Sequence, residues 1–217
     1  MGTRNLILVY YKGEYHIAQY GQWDGYPTGQ GVVVLGFVKD PANLAKLKVA
    51  LDTPGRLYEP TEAQLTLWSQ KERERDQEVY RKRAEDPSNW SYERPEPVMP
   101  SVHRDTSARI LHLVADATEP VPIVKEIKFI ADTLFCEWAY VIDLDTETLE
   151  VYSGIQEGAA QSRFGSAEGV SEGNGPSFMA SFSFANLPQA EGFVLTASKK
   201  QGKHDEEEEE RDDEVTD

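Results

Sequence analysis

Apolar positions along the chain come in short runs separated by turn residues, and their period changes from two to about three and a half and back. Residues 5–11, NLILVYY, are apolar on both faces after Asn5, which predicts a strand lying inside a sheet. Lys12-Gly13 offers a turn and Glu14–Tyr20 returns, a hairpin pattern. YGQWDGYPTGQG, residues 20–31, holds four glycines and a proline and cannot continue a strand, so it predicts a structured loop. The following VVVLGFV, residues 32–38, fits either a strand, by its β-branched residues, or the start of a helix after a glycine turn.

Leu44, Leu47, Ala50 and Leu51 recur at helical spacing behind Pro41, predicting a helix. Thr61 and Gln64 stand at capping-box spacing before a long charged helix to residue 85, whose apolar positions Leu65, Trp68 and Val79 are sparse. Residues 86–104 contain four prolines and predict an extended connection. Asp105 or Thr106 is placed to cap a helix through about Ala117, with Ile110, Leu113, Val114 and Ala117 as its stripe.

From Cys136 the pattern alternates, with Cys136, Trp138, Tyr140, Ile142 and Leu144 on one side and Glu137, Ala139, Val141 and Asp143 on the other. Residues 145–147 turn the chain and 149–152 return it, a second hairpin. A Gly/Ser-rich loop is expected over 153–177, then a strand carrying Phe178, Ala180, Phe182 and Phe184, and a last short strand at 193–195. Hairpins mixed with separate helices predict an α+β domain over 1–198 on a largely antiparallel sheet, followed by a disordered acidic tail, 199–217.

Charge sharpens this picture. The formal charge is −16, but residues 205–217 hold ten acids and one arginine, contributing −9 and leaving −7 for the other 204 residues. The body is thus mildly acidic and shows no basic stripe to neutralise phosphates, which argues against a nucleic-acid partner. The single cysteine, Cys136, excludes an intrachain disulfide and a CxxC metal site and favours a reducing, cytoplasmic setting. The N-terminal apolar run is too short for a signal peptide or a membrane span, and Leu6 at the sixth position departs from the myristoylation pattern that Gly2 would otherwise suggest.

Candidate chemistry concentrates in the 20–31 loop. Aromatic surface from Tyr20, Trp23 and Tyr26, amides from Gln22 and Gln30, and the carboxylate of Asp24 over glycine-permitted backbone are the materials of a small-molecule site, although the same residues also make ordinary turns and core plugs. A thiol enzyme would pair Cys136 with His16 or His112, but the cysteine falls on the apolar side of its strand. An N-terminal nucleophile at Thr3 would require processing that exposes its own amine. Asp24 and Glu137 are candidates for an acid/base carboxylate pair. Asp143 and Asp145 have calcium-loop spacing without the required glycine and distal glutamate, and a solvated hairpin turn is the plainer expectation. No motif names a metal or a cofactor.

The opening segment with its YGQWDGYP-GQG motif, together with FCEWAYVIDLDTETLEVYSG at 135–154, resembles a poorly characterised family of hypothetical proteins of fungi, bacteriophages and other microbes. The two segments cover about a quarter of the chain. The resemblance implies no established activity or fold. It does imply that Arg4, Gln22, Trp23, Asp24, Tyr26 and Gln30, with Glu137 and Trp138, form one shared feature.

The resulting expectation is a ligand pocket where the loop meets the 136–144 strand. Trp23, Tyr26 and Trp138 would supply surface, Tyr20, Gln22 and Gln30 hydrogen bonds, Asp24 an acceptor or base, and Arg4 an anion contact. Two alternatives stand beside it: a protein-interaction module using the same aromatics with the charged helix as rim, and a hydrolase of amidohydrolase type.

Overall fold

The structure, a computed structural model, describes residues 2–85, 95–154, 163–164 and 175–199. The early half of the proline-rich connection, most of the 153–177 segment and the acidic tail beyond 199 lie outside the described residues.

A five-stranded mixed sheet, built from two hairpins and one further strand, organises the chain. β1 (Asn5–Tyr11) and β2 (Glu14–Gly21) form the first hairpin. β5 (Trp138–Asp143) and β6 (Thr148–Ser153) form the second, and β7 (Ser177–Ser183) continues antiparallel from β6. The two hairpins join through a parallel β1–β5 pair, with Asn5 beside Trp138 and Leu8 beside Val141. Both central strands are therefore covered on both faces, which is why each reads as a nearly continuous apolar run. The fold is α+β, as the pattern of separate hairpins and helices implies. β3 (Leu57–Tyr58) and β4 (Val121–Pro122) make a small parallel pair apart from this sheet.

One face of the sheet carries Ile7, Val9, Trp138, Tyr140, Ile142 and Val151 under the helices. These are α1 (Val32–Val38), α2 (Pro41–Asp52), α4 (Ile110–Ala115) and α5 (Ala190–Ser198). The opposite face holds Leu6, Leu8, Ala139, Val141 and Tyr152, closed by a 3-10 turn at Ile127–Ala131 and by Phe164.

Residues 32–38 resolve as helix: Val34, Leu35, Phe37 and Val38 are buried, a one-sided stripe that outweighs the β-preference of three consecutive valines. The strand expected at 193–195 is instead part of α5, where Phe193 and Ala197, one turn apart, are buried. Phe178 does not share a face with Phe182. A bulge between Val151 and Tyr152 shifts the register, so Phe178 joins the Tyr152 side while Phe182 packs under the helices.

The long helix α3 (Glu62–Glu85) has no buried residue, and its start is a reciprocal capping box. The Gln64 amide donates to Thr61 Oγ1 at 3.3 Å and the Thr61 amide to Gln64 Oε1 at 2.9 Å. Neither Asp105 nor Thr106 caps the helix that follows. The Thr106 hydroxyl donates to the Pro100 carbonyl, Asp105 accepts from Trp23, and the segment enters through a 3-10 turn at Ser107–Arg109. No helix among the described residues is long and apolar enough to cross a membrane.

Candidate functional site

After β2 the chain must reverse and enter α1 over the end of the sheet, and backbone hydrogen bonds fix how it does so. The Gln22 amide donates to the Arg104 carbonyl (3.1 Å), Gly25 to Thr3 (2.9 Å) and Gln30 to Asp24 (2.8 Å). Pro27 opens a single π turn, closed by the Gly31 amide on the Tyr26 carbonyl, which delivers the chain to α1. From beneath, the Tyr140 hydroxyl donates to the Gly25 carbonyl at 2.7 Å, so the loop does rest on β5.

Two of the loop's glycines are required by close approach. A Cβ on Gly25 would stand 2.8 Å from the Arg4 carbonyl oxygen and 2.9 Å from that of Thr3; one on Gly29 would stand 2.2 Å from the Asp24 carbonyl oxygen.

Asn5 is the internal anchor. Fully buried at the start of β1, it donates through Nδ2 to the Trp23 carbonyl at 3.2 Å and accepts from the Ser107 hydroxyl at 2.7 Å. The signal in the sequence was a lone amide heading an apolar strand, since a buried amide must find partners.

The loop and the 104–107 segment thereby face one another across a cleft of about 350 Å³ lined by Trp23, Asp24, Gln30, Arg104, Asp105 and Ser107. Trp23 Nε1 donates to Asp105 Oδ1 at 2.9 Å, tying the two walls together. Gln30 Oε1 accepts from the Ala108 amide at 3.2 Å, orienting its side chain, and the Asp24 carboxylate has no hydrogen-bond partner among the described residues.

Backbone strain collects here as well. Four described non-glycine residues have positive φ. Lys12 and Glu147 sit in hairpin turns; the other two, Asp24 (φ 54°) and Ser107 (φ 44°), both line this cleft. Such conformations cost about 1–3 kcal/mol each and persist where the surroundings impose them.

The remaining expected site residues lie elsewhere. Tyr20 donates to Gln22 Oε1 at 2.6 Å and packs edge-on against Phe129 at 4.9 Å, so this pair is occupied with itself. Tyr26 is 51% exposed. Arg4 stacks its guanidinium over Phe135 at 4.6 Å, while Glu137 Oε1 accepts from the Arg4 backbone amide at 3.2 Å. Neither Arg4 nor Glu137 lines the cleft, and the structure does not bring Asp24 and Glu137 together in it.

Two expectations need correction. Trp138 is 2% exposed in the core under the helices, so it offers no surface to a ligand. Cys136 is not on its face: the strand begins only at Trp138, and the cysteine packs on the opposite side with Ala139, Val141 and Ile130. Its thiol is buried, and burial pushes its pKa far above the ordinary range, which leaves it a small hydrophobe rather than a nucleophile.

The hairpin turn after β5 is solvated at Asp145, Thr146 and Glu147, as expected, but not at Asp143. Asp143 is 1% exposed, accepts from the amides of Asp145 (3.0 Å) and Thr146 (2.9 Å), and pairs with Arg163. Asp145 accepts from the amides of Lys12 and Gly13, linking the two hairpin turns. Among the described residues no group of three or more His, Cys, Asp or Glu side chains is placed to hold a metal ion.

The facing wall, Arg104, Asp105 and Ser107, was hidden in the sequence because it follows a proline-rich stretch and carries no motif of its own. No protein-family model matches the chain, and no curated protein or solved structure matches it significantly.

Proposed function

We propose that the cleft between the 22–31 loop and the 104–107 segment is a binding site for a small polar molecule bearing an amine or hydroxyl group. Asp24 accepts from that group, Gln30 Nε2 donates beside it, and the Trp23 indole covers it. The observation that supports this best is the convergence of Asp24 and Ser107, the two described non-glycine residues with positive φ outside the hairpin turns, on one cleft with an unengaged carboxylate. In the same proposal the protein acts in a reducing, cytoplasmic setting, and proteins that share the YGQWDGYP-GQG motif bind through the same loop.

A second reading is favoured by the exposure of Tyr26, 51%, and Trp23, 39%: a protein partner anchored on these rings.

A thermal-shift screen against amine- and hydroxyl-bearing metabolites separates the two. A small ligand that raises the melting temperature of the wild type by several degrees, and does nothing for Asp24→Asn, supports the cleft; asparagine tolerates the left-handed backbone at 24, so the variant keeps the fold. Hits that are indifferent to Asp24→Asn count against it.

A further inference from the structure

We propose that the ligand of the Trp23–Asp24 cleft also carries an oxyanion, held by Arg104 and Arg109 in the cleft next to it. This inference rests on the small-ligand reading above.

The second cleft, about 380 Å³, lies between α3 and residues 95–109, with Arg75, Arg83, His103, Arg104 and Arg109 around it and Val79 and Tyr80 as an apolar wall. Arg104 and Asp105 line both clefts, so the two adjoin across these residues. A molecule that reaches from Asp24 to Arg104 therefore spans from the first cleft to the edge of the second.

The balance of engaged and available groups sets the sign of the charge that fits. Of the four carboxylates around the second cleft, Glu72, Asp76 and Asp105 are engaged by its walls and Glu96 meets only Arg109 among the described residues. Glu72 Oε1 lies 2.5 Å from Arg75 and 3.6 Å from His103 as an ion pair without a hydrogen bond, and its Oε2 accepts from the Val98 amide; Asp76 meets Arg75 at 2.6 Å; Asp105 takes the Trp23 indole. Arg75 is engaged by Glu72, Asp76 and the Glu96 carbonyl at 2.6 Å.

Arg104 is different. Its side chain is 63% exposed, its nearest carboxylate oxygen is 3.9 Å away on Asp105, and its guanidinium makes no hydrogen bond among the described residues. Arg109 is 58% exposed and held only by 3.2–3.3 Å contacts to Glu96, itself 70% exposed, a surface pair that a better acceptor displaces easily. Two available guanidinium forks suit a carboxylate or phosphate, which they grip bidentately. In this cleft an anion finds the Arg104 guanidinium without a hydrogen-bonded acceptor among the described residues and Arg109 held only by an exposed pair.

Calorimetric titration of the full chain with O-phosphoethanolamine, ethanolamine and inorganic phosphate tests the inference. Wild type is expected to bind phosphoethanolamine about tenfold or more tighter than either fragment, since a charge-assisted hydrogen bond is worth roughly one to two orders of magnitude. Arg104→Gln should reduce phosphoethanolamine to the affinity of ethanolamine, and Asp24→Asn to that of phosphate. The melting temperature of unliganded Arg104→Gln, whose side chain is exposed, should match wild type.

Phosphoethanolamine binding no tighter than ethanolamine, unchanged binding in Arg104→Gln, or no binding of either phosphate-bearing probe would each overturn the oxyanion site. Ethanolamine binding that still depends on Asp24 would then leave the first cleft standing. Phosphoethanolamine binding that depends on Arg104 and ignores Asp24 overturns the joined ligand and the first cleft together.

Discussion

The indole Nε1–H of Trp23 donates to the carboxylate of Asp105 across 2.9 Å, joining residues 82 positions apart. This bond links the glycine-rich loop to the segment it faces, and it sits at the edge of the cleft rather than in the core. A hydrogen bond in such a position contributes about 0.5–1.5 kcal/mol. Trp23→Phe is expected to lower the melting temperature by only a few degrees, checked by calorimetry, while removing ligand-dependent stabilisation altogether.

Gly25 faces a harder constraint. Its missing Cβ would stand within 3 Å of two main-chain carbonyl oxygens, Arg4 and Thr3, which cannot rotate away as a side chain would. Gly25→Ala should therefore destabilise by about 1–3 kcal/mol in urea unfolding, with the m-value unchanged. A neutral effect would mean that the loop does not sit against the 3–4 backbone.

How much of this was legible in the sequence follows from which forces act locally. The capping box at Thr61 and Gln64, the two hairpins and the buried first strand were readable because turn chemistry and hydrophobic period act over a few residues. The parallel β1–β5 pairing was not, since it joins segments more than a hundred residues apart that look alike to any local rule. Cys136 lies on the face opposite Trp138 because strand alternation holds only from Trp138 onward, two residues after the cysteine. In the candidate site, Trp23, Asp24 and Gln30 stood out by composition. Arg104, Asp105 and Ser107 did not, because their role comes from the backbone bond between Gln22 and Arg104 and the buried bond between Asn5 and Ser107.

Cys136 yields a direct test of its surroundings. Burial raises the thiol pKa, so the reactive thiolate is scarce in the native state. Native protein at neutral pH should label with an aromatic disulfide reagent orders of magnitude more slowly than urea-unfolded protein, followed by absorbance. Rapid stoichiometric labelling of the native fold would contradict its placement beside Ile130 and Val141.

Stability should depend on pH at both extremes. Burial works to raise the Asp143 pKa, but the Thr146 amide and the Arg163 guanidinium outweigh it and hold the carboxyl below its usual value. A depressed carboxyl contributes stability above its unfolded pKa, about 4, and that stability is lost as pH falls through the folded value. Tyr15 moves the other way: burial raises its phenol to about 12, so its contribution is present below about pH 10 and lost as pH rises towards 12. Urea midpoints should be nearly level between about pH 5 and 9 and fall outside that window. Arg163→Met should weaken the acid limb, because it removes the ion pair that lowers the Asp143 pKa.

The proposed cleft is tested most directly by native mass spectrometry of the freshly purified chain beside Asp24→Asn. A small-molecule adduct on the wild type that is absent from an equally folded Asp24→Asn protein is the expected result. An adduct of the same mass and occupancy on both proteins would contradict a ligand site built on Asp24.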